Sequence, residues 1–138
     1  MKIFFDSSAL AKRYIQEAGS EEVLKLCIEA DEICVSIICY PEIISAFCRL
    51  KREGRLNQAG LSKIKRHLVD DLSEAAVLGL NEAVVDRAAA LLEANALKAM
   101  DALHIATALE WSSDLFVSGD DLQLKAAKKA GLRVQPVG

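Results

Sequence analysis

The sequence predicts an α/β fold, a three-layer α/β/α sandwich around a mainly parallel central sheet. Three observations predict it. Short β-branched or aromatic runs alternate with longer stretches of helical periodicity along the chain. No Pro/Gly/Ser-rich linker, low-complexity tract or internal repeat interrupts that alternation. The 138 residues, 52% apolar and 27% charged, suit a single domain, residues 1–138, with enough hydrophobic side chain to bury a core.

The elements follow in order. Residues 2–5, an isoleucine and paired phenylalanines ending on Asp6, read as a buried strand. Ser7 or Ser8 then caps a helix to about Gln16, with Leu10, Tyr14 and Ile15 inward. Ser20 caps a second helix to about Ala30, carrying Val23, Leu24, Cys27 and Ile28 at helical spacing. Residues 32–38 are apolar and β-branched enough for a second strand. Pro41 suits the first turn of the next helix, which carries Glu42, Ile43, Ile44, Phe47 and Leu50 and ends at Gly54. Asn57 opens another helix, basic on its outer side, to about Asp71. Residues 75–80 read as a third strand, and Asn81 caps the helix after it. Lys98 to Trp111 is apolar nearly all round, the mark of a central buried helix. Residues 114–119 form a fourth strand, 121–130 a helix closed by Gly131, and 132–137 a last strand.

Composition excludes several classes. MKIFFDSSAL reaches an acid after three apolar residues, too few for a signal peptide, and no run approaches a membrane span, so a cytoplasmic location and no membrane contact are expected. Cys27, Cys34, Cys39 and Cys48 contain no CxxC pair, and only His67 and His104 are available beside them. They read as free thiols acting as small hydrophobes. The net charge of −3 argues against holding nucleic acid by overall electrostatics, but its distribution is uneven. Residues 49–66 hold Arg49, Lys51, Arg52, Arg55, Lys63, Lys65 and Arg66 against Glu53 alone, a balance of +6 that leaves −9 for the rest. That run is a solvated helical face or a basic arm.

Ligands of open parallel sheets bind beyond the carboxyl ends of the strands, where the strand order reverses. Asp6 ends the first strand, Asp120 follows the fourth, Glu42 lies in the first turn after the second, and Asp101 opens the buried helix. Each acid alone has a structural explanation as a cap or a partner of a helix dipole. Four at one edge would repel each other unless a cation compensates them. Oxygen-only ligands suit Mg²⁺ or Mn²⁺, and such a centre favours phosphoryl chemistry by a metal-activated water. No P-loop, GxSxG or Ser/His/Asp set competes. His104 lies one helical turn from Asp101, where it is either a ligand or base, or a histidine bonded inside the fold.

The DSSALAKRY opening, SIICYPEIISAFCR, MDALHIATAL and FVSGDDLQLKAA resemble, in order and spacing, the PIN domains, and in particular the small VapC-like ribonuclease toxins of toxin–antitoxin pairs. The resemblance implies a PIN-like fold and a Mg²⁺/Mn²⁺-dependent endoribonuclease with Asp6, Glu42, Asp101 and Asp120 as its catalytic, metal-holding acids. It chooses Asp120 over the adjacent Asp121, because the family's pattern is hydroxyl-x-Asp. Ser118, and similarly Ser8, is implied to position Asp6 or a water on the ion. An RNA substrate, a homodimer and a cognate antitoxin laid across the helices near Arg49, Arg52 and Arg55 are implied as well. Lys12 and Arg13 are candidates for a phosphate, an antitoxin carboxylate or plain solvent. The alternative is a non-catalytic PIN-like module binding RNA or protein through residues 49–66, its acids kept as caps. A phosphatase reading starting from Asp6 is weak, since Ser8 stands where a second Asp is needed.

Overall fold

Five short strands alternate with seven α-helices in the computed structural model, which describes all of residues 1–138. The strands are β1 (Lys2–Phe5), β2 (Glu32–Ser36), β3 (Ala76–Leu78), β4 (Leu115–Ser118) and β5 (Val134–Pro136). They lie in the order β3-β2-β1-β4-β5, every neighbouring pair parallel. β1 is therefore central, with Ile3 beside Leu115 and Phe4 between Phe116 and Cys34.

The period-2 alternation of the central strands splits the core in two. Ile3, Phe5, Val35, Leu115 and Val117 face one helical layer: α1 (Ser7–Leu10), α2 (Ser20–Glu29), α3 (Cys39–Arg52) and α4 (Gln58–Glu74), which contributes Leu68. Phe4, Cys34 and Phe116 face the other: α5 (Glu82–Ala94), α6 (Ala99–Glu110) and α7 (Asp121–Lys129). The Phe4 and Phe116 rings stack with centroids 5.5 Å apart. Burying a phenylalanine contributes about 1.5–3 kcal/mol, so these two rings anchor β1 to β4 and the helices behind them. No helix is long and apolar enough to cross a membrane.

Local details depart from the expected elements. The helix after Asp6 runs only to Leu10, tightens into a 3₁₀ turn over Ala11–Arg13 and stops. Asp6, not Ser7 or Ser8, caps it: the extended backbone at Asp6 aims the carboxylate at the Ala9 N–H, 2.8 Å away. Ser20 does not cap α2 either. Its hydroxyl accepts from the Glu17 N–H at 3.0 Å and donates to the Ile15 carbonyl, closing the preceding loop. Gly19, at φ +92°, takes the cap position, where a Cβ would meet the Gly138 nitrogen at 2.6 Å. Val23 alone among the apolar residues of α2 is fully buried, whereas Leu24 is 40% and Ile28 85% exposed. Residues 24 and 28 sit one helical step, about 100°, from the 23/27 row that meets the sheet. The strands end earlier than their apolar runs, at Ser36, Leu78 and Ser118, and β3 and β5, the two edges, are three residues each.

Asn57 and Asn81 cap as expected, accepting from the Gly60 N–H at 2.7 Å and the Val84 N–H at 2.9 Å. Asn81→Ala should lower stability by about 1 kcal/mol in urea unfolding. Cys34 and Cys39 are buried, Cys27 and Cys48 half-buried, and all four are free. Burial pushes the Cys34 and Cys39 thiols up to about 12, so both behave as apolar groups.

Candidate active site

The strand order reverses between β1 and β4, so a crevice opens beyond their carboxyl ends. Asp6 leaves β1 there, its backbone N–H bonded to the Val117 carbonyl at 3.1 Å. The side chain is 2% exposed and fully engaged. Oδ1 accepts from the Ala9 N–H and the Ser8 hydroxyl, each 2.8 Å away. Oδ2 accepts from the Ser118 hydroxyl at 2.5 Å. Burial pushes the Asp6 carboxyl up, and the Ser118 hydrogen bond opposes it.

Both serines act as two-way struts. Ser118 Oγ accepts from the Asp120 N–H at 3.0 Å while donating to Asp6, and Ser8 Oγ accepts from the Gly119 N–H at 3.0 Å while donating to Asp6. The β4–α7 turn is thereby locked to the start of α1. Asp120 caps α7 through the Gln123 N–H at 3.0 Å, half-buried, while Asp121 is exposed. Gln123, 1% exposed, donates its Nε2 to the Asp101 carbonyl at 3.2 Å and ties α7 to the start of α6.

Asp101 is half-buried in the first turn of α6. Burial raises its carboxyl, followed by the negative charge of Asp120, with Asp6 and Glu42 adding to it. Glu42, in the first turn of α3, holds its Oε1 against the Ser7 hydroxyl at 2.7 Å and His104 Nε2 at 2.6 Å. Burial pushes Glu42 up, but the hydrogen bonds from His104 and Ser7 outweigh it and leave the carboxyl below its usual range. His104 is 2% exposed and bonded inside the fold.

The four acids thus share one edge, held by α1, α3, α6 and the β4–α7 turn. No three of the His, Cys, Asp and Glu side chains close into a ready-made cage for an ion. The donor set still fits Mg²⁺ or Mn²⁺: it is all carboxylate oxygen, and Mg²⁺ keeps several waters beside one or two carboxylates. The upward push on Asp101 from its acidic neighbours is the repulsion a cation would relieve.

A groove of about 420 Å³ leaves this edge, lined by Ser7, Ser8, Glu42, Arg49, Arg55 and Gly119, among others. Arg49, Arg52 and Arg55 are exposed at the end of α3 and the turn after it. Lys12 and Arg13 are already engaged. Lys12 Nζ donates to the Ala18 carbonyl at 2.8 Å, and Arg13 Nε pairs with Asp71 at 2.7 Å. The sequence offers Ser7 only as a helix cap and does not single out Gln123. The signal for Ser7 is a second hydroxyl beside Asp6, and for Gln123 its place three residues after a capping acid.

A protein-family model described as the PIN domain matches residues 3–129. Ribonuclease VapC45 of Mycobacterium tuberculosis is 32% identical over 136 residues, covering 97% of this chain and 94% of the relative. Among solved structures, FitAcB from Neisseria gonorrhoeae superposes with a TM-score of 0.74 at 18% identity, covering 96% of this chain and 95% of that one. PAE2754 from Pyrobaculum aerophilum gives 0.72 at 20% identity, over 97% and 92%. A match from β1 to the end of α7, with a relative of this identity over nearly its full length, makes the chain a member of the PIN-domain family.

Proposed function

We propose that this protein is a Mg²⁺- or Mn²⁺-dependent endoribonuclease and the toxin of a toxin–antitoxin pair. The observation that carries the reading is the gathering of Asp6, Glu42, Asp101 and Asp120 at the β1/β4 edge of a PIN-domain sheet. The similarity to ribonuclease VapC45 supports it, as does the fold shared with a VapBC2 of Rickettsia felis, TM-score 0.71 at 12% identity. Asp6, Glu42, Asp101 and Asp120 would hold the cation. When bound, the ion polarises a water for in-line attack on phosphorus and neutralises charge on the leaving oxygen. Asp6, pinned by three donors, fixes the helix start and the β4–α7 turn so the acids keep their spacing.

Arg49 lies seven residues from Glu42 on α3, two turns along the same side and about 10 Å away by helical rise. It would take a phosphate next to the one cut. Arg52 and Arg55 extend that contact toward RNA or a cognate antitoxin. Arg49→Ala should raise KM for RNA several-fold with little change in kcat, and should flatten the salt dependence of binding by about one ion. The protein acts in the cytoplasm as a homodimer on this reading.

The deciding experiment is cleavage of cellular RNA by purified, antitoxin-free protein in Mg²⁺ or Mn²⁺, beside Asp6→Asn and Asp101→Asn. If wild type cuts nothing, or the variants cut as well, the reading fails. A non-catalytic module would also show no cation-dependent stabilisation lost in Asp101→Asn.

A further inference from the structure

We infer that His104 is a positioning residue for Glu42: with the Ser7 hydroxyl it pins one carboxylate oxygen and leaves the other as the free donor. The inference rests on the reading of Glu42 as a cation ligand.

His104 comes from α6, in the helical layer opposite α3, and its ring stands edge-on to Phe4 with centroids 6.2 Å apart. Its bond to Glu42 therefore joins the two layers beyond the end of β1. The ring is buried, and Nδ1 has no hydrogen-bond partner. An unpartnered N–H is costlier to bury than a bare ring nitrogen, because a neutral imidazole carries one donor and one acceptor and the donor must be satisfied. The ring proton accordingly belongs on Nε2, which donates to Glu42 Oε1 at 2.6 Å.

Ser7 donates to that same oxygen at 2.7 Å, and its own oxygen lies 3.2 Å from Nε2, close enough to share the imidazole proton. Two donors from two helices thus converge on Oε1, while Oε2 makes no hydrogen bond within the protein. A glutamate reaching from the first turn of a helix has three rotatable bonds. Fixing them before an ion arrives removes an ordering cost from binding, as carboxylates and backbone groups do for ligating histidines. His104 is here the support, not the ligand, and its chemistry is exerted through Glu42.

The chain has only His67 and His104, so ring ¹⁵N signals are readily assigned. In metal-free protein His104 should show a protonated Nε2, its signal moving in Glu42→Ala. An Nε2 without a proton overturns the inference. By calorimetry His104→Leu should weaken Mn²⁺ binding about tenfold or more. His104→Gln, whose amide can donate to Oε1, should restore most of it with the fold intact by circular dichroism. On a Glu42→Ala background His104→Leu should add no further loss, because both changes remove the same interaction. Binding in His104→Leu as tight as in wild type, or a full additional loss on that background, overturns the inference alone. A wild type that binds no Mn²⁺ overturns the reading of Glu42 as a ligand, and the inference with it.

Discussion

Asp101→Asn should abolish RNA cleavage, by about a thousandfold or more, and yet raise the thermal midpoint of the metal-free protein. The two effects share one cause. Burial and then the charges of Asp120, Asp6 and Glu42 hold the Asp101 carboxyl above its usual range. An acid whose folded value is raised adds stability at pH below its unfolded value and loses that contribution as pH rises through the folded one. At neutral pH the ionised group therefore destabilises the metal-free protein, and the amide removes that cost while keeping shape. The gain of the variant should be largest near neutral pH and vanish below the carboxylate range, where both side chains are neutral. Saturating Mn²⁺ should reverse the order, because only wild type gains from an ion that binds the native state. Differential scanning fluorimetry with and without Mn²⁺ reads all of this. An Asp101→Asn that melts lower without metal, or still cuts RNA, counts against the assignment.

Asp6→Ala should cost about 2–4 kcal/mol of stability in urea unfolding as well as activity, whereas Asp6→Asn should lose activity and keep the fold. Asp6 Oδ1 caps α1 through the Ala9 N–H, worth about 1 kcal/mol. Oδ2 is the acceptor for the fully buried Ser118 hydroxyl, and leaving such a group unpaired costs about 1–3 kcal/mol more. The asparagine retains the capping oxygen and sheds a charge that burial disfavours. Equal unfolding midpoints for the two variants would show that these hydrogen bonds are not what holds the β1–α1 and β4–α7 junctions together.

The sandwich was legible because its evidence is local. The apolar runs at 2–5 and 114–119, the Asn57 and Asn81 caps and the nearly all-apolar α6 are read from consecutive residues. Errors gathered where a residue had a competing partner. Ser20 looks like a cap, but the Glu17 N–H and Ile15 carbonyl claim its hydroxyl. Leu24 and Ile28 are apolar and correctly spaced for a helix, yet the row that meets the sheet is the adjacent one. The four acids were visible as candidates because each borders a strand end or a helix start. The Ser7–His104 clasp on Glu42 was not visible, since it joins residues 35 and 62 positions away from Glu42 in the chain.

Alternation, caps and strand-end acids determined by themselves a parallel α/β sandwich with carboxylates at its carboxyl edge, because periodicity and capping depend on neighbours within a turn or two. Only the tertiary structure decided that β1 lies between β2 and β4, which puts Asp6 against the Ser118 hydroxyl that also holds the Asp120 N–H. It also decided that Asp120 faces Asp101 while Asp121 meets solvent, that Lys12 and Arg13 are tied to the fold, and that Glu42 is held from two layers at once. Strand order and the pairing of distant hydroxyls, imidazole and carboxylates depend on which long-range contacts satisfy buried polar groups together, and no spacing along the chain encodes that.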